Sequence, residues 1–197
     1  SRGHYERRPL DVAMSRKFLD NLVESYDYNR MYFMKSDVDD FVAEYGDTLG
    51  ERGEAGEVGA AYVVYDRFME RLGERRALVT ELLASSMTFT AAESVPTERH
   101  KEPWAATDAE MRERWRLGVK FELLRGRLEG EKGEDPAKAV VTHYDSLFDN
   151  YKQFDSGDVL QNFLSALCRV YDPHTDYFAA AKEENFTIGM RLSLFGI

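Results

Sequence analysis

The sequence predicts an all-α protein, a multi-helix bundle with one short β-strand at its C-terminal end. Three observations carry that expectation. Apolar residues recur at three- and four-residue steps through successive windows, helix start and stop signals separate those windows, and only the last nine residues switch to period two. With 43% hydrophobic and 13% aromatic residues in 197, the chain can build a packed core.

The first stripe follows Pro9, which suits a first helical turn. Leu10, Met14, Phe18, Leu22 and Tyr26 recur every fourth residue, flanked by Leu19 and Val23. The run from Tyr28 to Lys35 is too short to assign by period. Ser36 with Asp39 resembles a capping box for a short helix burying Val38, Phe41, Val42 and Tyr45. Gly46, Gly50, Gly53, Gly56 and Gly59, interleaved with glutamates, predict a mobile, solvated loop. It is no phosphate cradle, since no strand precedes it and no Lys-Ser/Thr closes it. A long helix from Val58 would bury Tyr62, Tyr65, Met69, Leu72, Val79 and Leu83, with Gly73 as a weak point.

A polar crossing segment from Ser94 to Pro103 leads to Trp104. Thr107 with Glu110 is the best capping box, and the helix it starts points Met111, Trp115, Gly118, Phe121, Leu124 and Leu128 inward. Asp135-Pro136 opens the next helix, with Val140, Tyr144, Leu147, Tyr151 and Phe154 as its stripe, and Ser156-Gly157 breaks it. The last helix buries Val159, Phe163, Leu164, Leu167 and Tyr171 before Pro173 stops it. Met190, Leu192 and Leu194 then alternate with Arg191, Ser193 and Phe195, which predicts a strand. A lone strand needs a partner, so the segment reads as the start of a β-containing domain, frayed or paired with a neighbour's edge.

The net charge of −10 repels phosphate backbones and anionic lipid, which argues against nucleic-acid partners. No apolar run approaches the ~20 residues of a membrane helix, which argues against membrane insertion. A single cysteine, Cys168, excludes an internal disulfide framework and a cysteine-built zinc site. The opening Ser1-Arg2-Gly3-His4 has neither a starting Met nor an apolar signal core and reads as a processed or excised start.

Candidate chemistry is sparse. Asp172, His174 and Asp176 fall within five positions. They could bind a metal or orient a histidine, but a helix end with side chains bonded to backbone is the favoured reading. Cys168 reads as a small core hydrophobe and His143 as a half-buried packing histidine. Tyr26, Tyr28, Tyr32, Phe33, Tyr62, Tyr65, Trp104 and Trp115 could line a groove for unfolded peptide, although core is the plainer role. Both tryptophans are expected to be buried. Paired carboxylates for acid/base work cannot be picked out, and no Gly-x-Ser-x-Gly elbow exists. The chain alone shows no catalytic residue, no metal site and no cofactor.

Asp172-Pro173-His174-Thr175-Asp176-Tyr177-Phe178, Glu184-Asn185-Phe186 and the run Met190 to Ile197 together resemble a known family. The blocks His4-Tyr5 with Leu10-Asp11, Asp27-Tyr28 through Ser36-Asp37-Val38, Met87-Thr88-Phe89, Pro103-Trp104, and Trp115 with Val119-Lys120-Phe121 agree with it in order. The chain is similar to the N-terminal helical region, running into the PDZ domain, of the tail-specific (carboxy-terminal processing) serine proteases in their large Gram-negative form. The resemblance implies a helical domain over 1–188 and the first strand of a truncated PDZ domain over 189–197. It implies a parent protease of the periplasm or cell envelope whose nucleophilic serine and base lysine match no position here. Phe195, Gly196 and Ile197 would begin the loop that captures a substrate's C-terminal carboxylate, with Phe195 standing where many relatives have an acid. The implied partners are unfolded or C-terminally tagged protein substrates and an adaptor protein, and the implied roles are substrate enclosure and docking. The competing expectation is a free-standing helical interaction module.

Overall fold

The computed structural model describes residues 9–96, 98–129 and 135–178. Among these, seven helices account for the regular structure: α1 (Val12–Asp27), α2 (Lys35–Tyr45), α3 (Leu49–Glu54), α4 (Gly59–Ala84), α5 (Asp108–Glu129), α6 (Pro136–Lys152) and α7 (Ser156–Tyr171). The all-helical expectation holds for them. The strand expected over 189–197 lies outside the described residues.

The chain divides into two compact units. The first comprises Ser1–Ser25, Glu44–Tyr62 and Phe154–Ile197. Here α1 and α7 pair antiparallel: Lys17 Nζ donates to the Val170 carbonyl at 3.0 Å, and Asn21 Nδ2 to the Ala166 carbonyl at 3.0 Å. Phe18 meets Phe163 with ring centroids 4.7 Å apart. The α1 stripe is buried as its spacing predicts at Phe18, Leu19, Leu22 and Val23. Along α7 the buried apolar residues are Val159, Phe163, Ala166 and Val170, whereas Leu164, Leu167 and Tyr171 are half-buried. Ser156 and Gly157 do not simply break a helix. They are its first turn, because Asp155 caps both Gly157 and Asp158 amides while Asp158 accepts from the Asp155 N–H.

The glycine-rich segment is only in part the solvated loop expected of it: Ala55, Gly56 and Glu57 are exposed, whereas Leu49–Glu54 form α3. Leu49 and Gly50 are buried in α3. A Cβ on Gly50 would stand 2.7 Å from Ser15 Oγ and 2.9 Å from Leu10 Cβ, and the Gly50 N–H donates to that same hydroxyl at 3.0 Å. Close approach of α3 to the start of α1 is what the glycine serves. Gly56, at φ +81°, turns the chain toward α4.

The second unit comprises Tyr26–Ala43 and Val63–Gln153. α4 runs through Gly73 without a break. α6 lies antiparallel to it, with Phe68 against Tyr151 at 4.7 Å and Arg76 paired to Asp145. α6 also packs on α5, Trp115 and Tyr144 standing 5.1 Å apart. A cluster of Met34, Val79, Leu82, Ala105, Met111, Trp115, Val119, Leu123, Val140 and Tyr144 forms the core. On α5 the inward stripe is thus Met111, Trp115, Val119 and Leu123, while Phe121, Leu124 and Leu128 face out. The helix carries two apolar stripes, and periodicity by itself does not say which one α6 covers. Trp104 is half-buried, not buried, with the Arg30 guanidinium 5.0 Å above its ring. Val42 is likewise exposed.

Trp115 is 1% exposed and its indole N–H donates to the Met31 carbonyl at 2.6 Å. Replacing it with Ala is expected to cost about 3–5 kcal/mol, read as a lowered urea midpoint with an unchanged helical spectrum in buffer.

Candidate functional site

Most of the polar chemistry of the second unit converges on the loop between α1 and α2. Asp27, the last residue of α1, is 2% exposed. Its carboxylate accepts the N–H groups of Met31 and Tyr32 at 2.7 Å and of Phe33 at 2.9 Å. An anion at a helix C-terminus faces the unfavourable end of the dipole, and three converging amides offset that. Burial is the largest influence and pushes the Asp27 carboxyl above its usual range; the amides and Arg75 pull the other way.

The loop's carbonyls are met from other helices. Arg75 of α4 is 6% exposed and donates to the Tyr32 carbonyl at 3.2 Å. Trp115 takes the Met31 carbonyl, and Arg114 donates to the carbonyls of Arg30 and Pro103. Arg30 turns the loop at φ +54°. Met34 then bridges to Ala105, whose carbonyl accepts the Lys35 N–H at 2.8 Å.

α2 opens on a second buried acid. The Met34 N–H donates to Asp37, the third residue of the helix, at 2.8 Å. The capping box read at Ser36 and Asp39 therefore sits elsewhere: Asp37 does the work, while Asp39 pairs with Lys35 on the outside. Asp37 also receives Arg71 through Nε at 2.7 Å and Nη2 at 2.8 Å, and Arg67 Nη1 at 2.5 Å. Burial works upward on its carboxyl, but the Arg71 fork, the Met34 amide and Arg67 outweigh it and hold it below the usual carboxylate range.

Beside this loop lies a cavity of about 250 Å³ lined by Tyr26, Asp27, Tyr28, Asn29, Met31, Tyr32, Trp115 and Tyr144. Four of the aromatics singled out in the sequence meet here. Burial raises the Tyr32 and Tyr144 phenols, and the Tyr144 hydroxyl donates to Glu122 at 2.6 Å. The Asp27 oxygens are taken up by three loop amides. The arrangement holds chain in place and offers an aromatic wall.

The other sequence candidates fall elsewhere. Asp172 is occupied by its own turn, accepting from the His174 N–H at 3.0 Å and the Thr175 hydroxyl at 2.7 Å. Asp176 pairs with Arg169 at 2.6 Å. This is the structural turn favoured above, and among the described residues no group of three or more His, Cys, Asp and Glu side chains has the geometry to hold a metal. Cys168 is half-buried, its thiol pushed up by burial and by Asp176. His143 is exposed, contrary to the half-buried expectation, at the mouth of an open cavity of about 430 Å³ between α5 and α6. The position flanks the stripe and faces outward. Phe195, Gly196 and Ile197 lie outside the described residues.

Sequence reasoning quoted Asp27 and Asp37 only within a block of family resemblance, with no role assigned, and passed over Arg75. A physical signal existed for Arg75, which occupies the step between Leu72 and Val79 on the buried stripe of α4, where a cation must be satisfied internally.

Asp27→Ala, which deprives three amides of their acceptor, is expected to cost roughly 2–4 kcal/mol. Asp37 binds its proton more weakly folded than unfolded, so its stabilisation is complete above the unfolded value of about 3.9. It disappears as pH falls through the lower folded value. Urea midpoints measured from pH 6 down to pH 2.5 should fall more steeply below pH ~4 in the parent chain than in Asp37→Asn.

Residues 1–181 match the family described as Tail specific protease N-terminal domain. Over all 197 residues the chain is 28% identical to a protein of Haemophilus influenzae named Tail-specific protease. The chain spans 28% of that relative's length. No helix among the described residues is long and apolar enough to cross a membrane.

Proposed function

The chain belongs to the tail-specific protease N-terminal domain family, and we propose that it serves as the non-catalytic helical region of a carboxy-terminal processing serine protease of the cell envelope. The family match over residues 1–181 carries this reading. In it, residues 1–188 are the helical domain and 189–197 the first strand of a PDZ domain. Phe195, Gly196 and Ile197 begin the loop that receives a substrate's terminal carboxylate. The helical domain walls off the substrate and docks a partner protein, and the location is the periplasm.

The chemistry of the described residues supports a scaffold role. A serine/lysine mechanism needs a lysine neutral enough to act as a base, beside a hydroxyl and oxyanion donors. Lys17 instead donates to a backbone carbonyl, and Lys35 and Lys120 are engaged by Asp39 and Glu93. The two most buried acids, Asp27 and Asp37, are committed to amides and guanidinium groups.

The test compares this 197-residue chain with the complete gene product on an unfolded substrate bearing an apolar C-terminus. Cleavage is expected from the complete product and not from the chain. Cleavage by the chain that disappears on replacing His174 or a single serine would overturn the scaffold assignment. A complete product without a serine/lysine-dependent activity would overturn the protease assignment.

A further inference from the structure

The outward stripe of α5 has the pattern of a helix-pairing seam. Leu117, Phe121, Leu124 and Leu128 advance by four, three and four residues, the 3.5-residue repeat that keeps one edge facing a neighbouring helix. Phe121 is 47%, Leu124 40% and Leu128 77% exposed. Large apolar side chains grouped this way mark an interaction surface more often than isolated ones do.

Of the four positions that flank the seam, three are cations and the fourth is Gly118. Lys120 precedes Phe121, Arg125 follows Leu124, and Arg127 precedes Leu128. These are the positions that choose a partner in paired helices. Such a cluster stands out in a chain of net charge −10. The segment from Phe89 to Val95, which lies along one side of α5, shows what this surface accepts. Phe89, Ala91 and Val95 form a groove with Leu117, Phe121 and Leu124. The carboxylate of Glu93 in the same segment is held by Arg116 at 2.5 Å and by Lys120. Arg127 lies 4.3 Å over the Phe89 ring. Apolar side chains accompanied by a carboxylate already dock on this helix.

We propose that the Leu117–Leu128 seam of α5 docks an amphipathic helix of a partner protein, with Glu or Asp at the positions flanking its apolar stripe. A second copy of this chain fits poorly, because like cations would oppose one another across the seam. The proposal deepens the partner-docking part of the function proposed above. Its failure would leave the cleavage comparison untouched.

The probe is a 21-residue helical peptide with Leu at the seam positions and Glu at the flanking ones, matched by a version with Lys at those positions. Fluorescence anisotropy with the 197-residue protein at low salt should show the Glu peptide binding at least tenfold more tightly than the Lys peptide. Leu124→Glu with Leu128→Glu should weaken it tenfold or more while leaving helical content unchanged. Arg125→Glu with Arg127→Glu should reverse the preference, which keeps the test open if the first pair misfolds. Equal binding of both peptides, binding by neither, or indifference to both pairs of substitutions would overturn the proposal. So would a concentration-dependent dimer in sedimentation that Leu128→Glu abolishes, since the occupant would then be a second copy.

Discussion

A carboxylate buried at the wrong end of a helix governs the second unit. Asp27 closes α1, where the backbone carbonyls already make the potential negative, and it is almost without solvent. It is tolerable there only because the following loop curls back to present three N–H groups. That curl requires the left-handed turn at Arg30 and exposes the carbonyls of Arg30, Met31 and Tyr32. Arg114, Trp115 and Arg75 supply their donors. A single acid thereby dictates where α4 and α5 must place a tryptophan and two arginines.

Asp37 repeats the logic with the favourable sign. It sits in the first turn of α2, where the dipole welcomes an anion, and it binds both the Met34 amide and two arginines of α4. One carboxylate joins the helix start to the long helix beside it. The pair at Arg71 is bidentate, which specifies geometry as well as attraction. Removing either partner would strand a buried charge, so the charges and the packing stand or fall together.

These commitments bear on function. The polar groups that look most reactive by burial are consumed in holding loop and helices together, whereas α5 turns the large apolar side chains of Phe121, Leu124 and Leu128 outward. A surface of that kind suits recognition. The chain belongs to the tail-specific protease N-terminal domain family, and a surface of that kind agrees with the scaffold role proposed for it.

Much of the architecture was legible from local rules. The α1 stripe, the Thr107–Glu110 start of α5, where Glu110 accepts the Ala106 N–H and donates its own amide to Thr107, and the Asp135-Pro136 start of α6 depend on neighbours a few residues away. The turn after α7, with Asp172 bonded to His174 and Thr175, is equally local. Family membership could be read from the order of short motifs. What the sequence could not decide were choices between equivalent local options. α5 offers two apolar stripes, and only packing against α4 and α6 together selects one. The glycines of 46–59 suggest looseness until Ser15 and Leu10 require the absence of a side chain at Gly50. Nothing local says that Asp27 and Asp37 are the buried ones among the chain's 36 acids; the arginines of α4 reach Asp37, and the Trp115 N–H reaches the loop after Asp27 from 84 positions away. Periodicity and capping act over one turn of helix, whereas the arginines that hold Asp37 and the donors that meet the carbonyls of the loop after Asp27 come from helices far along the chain.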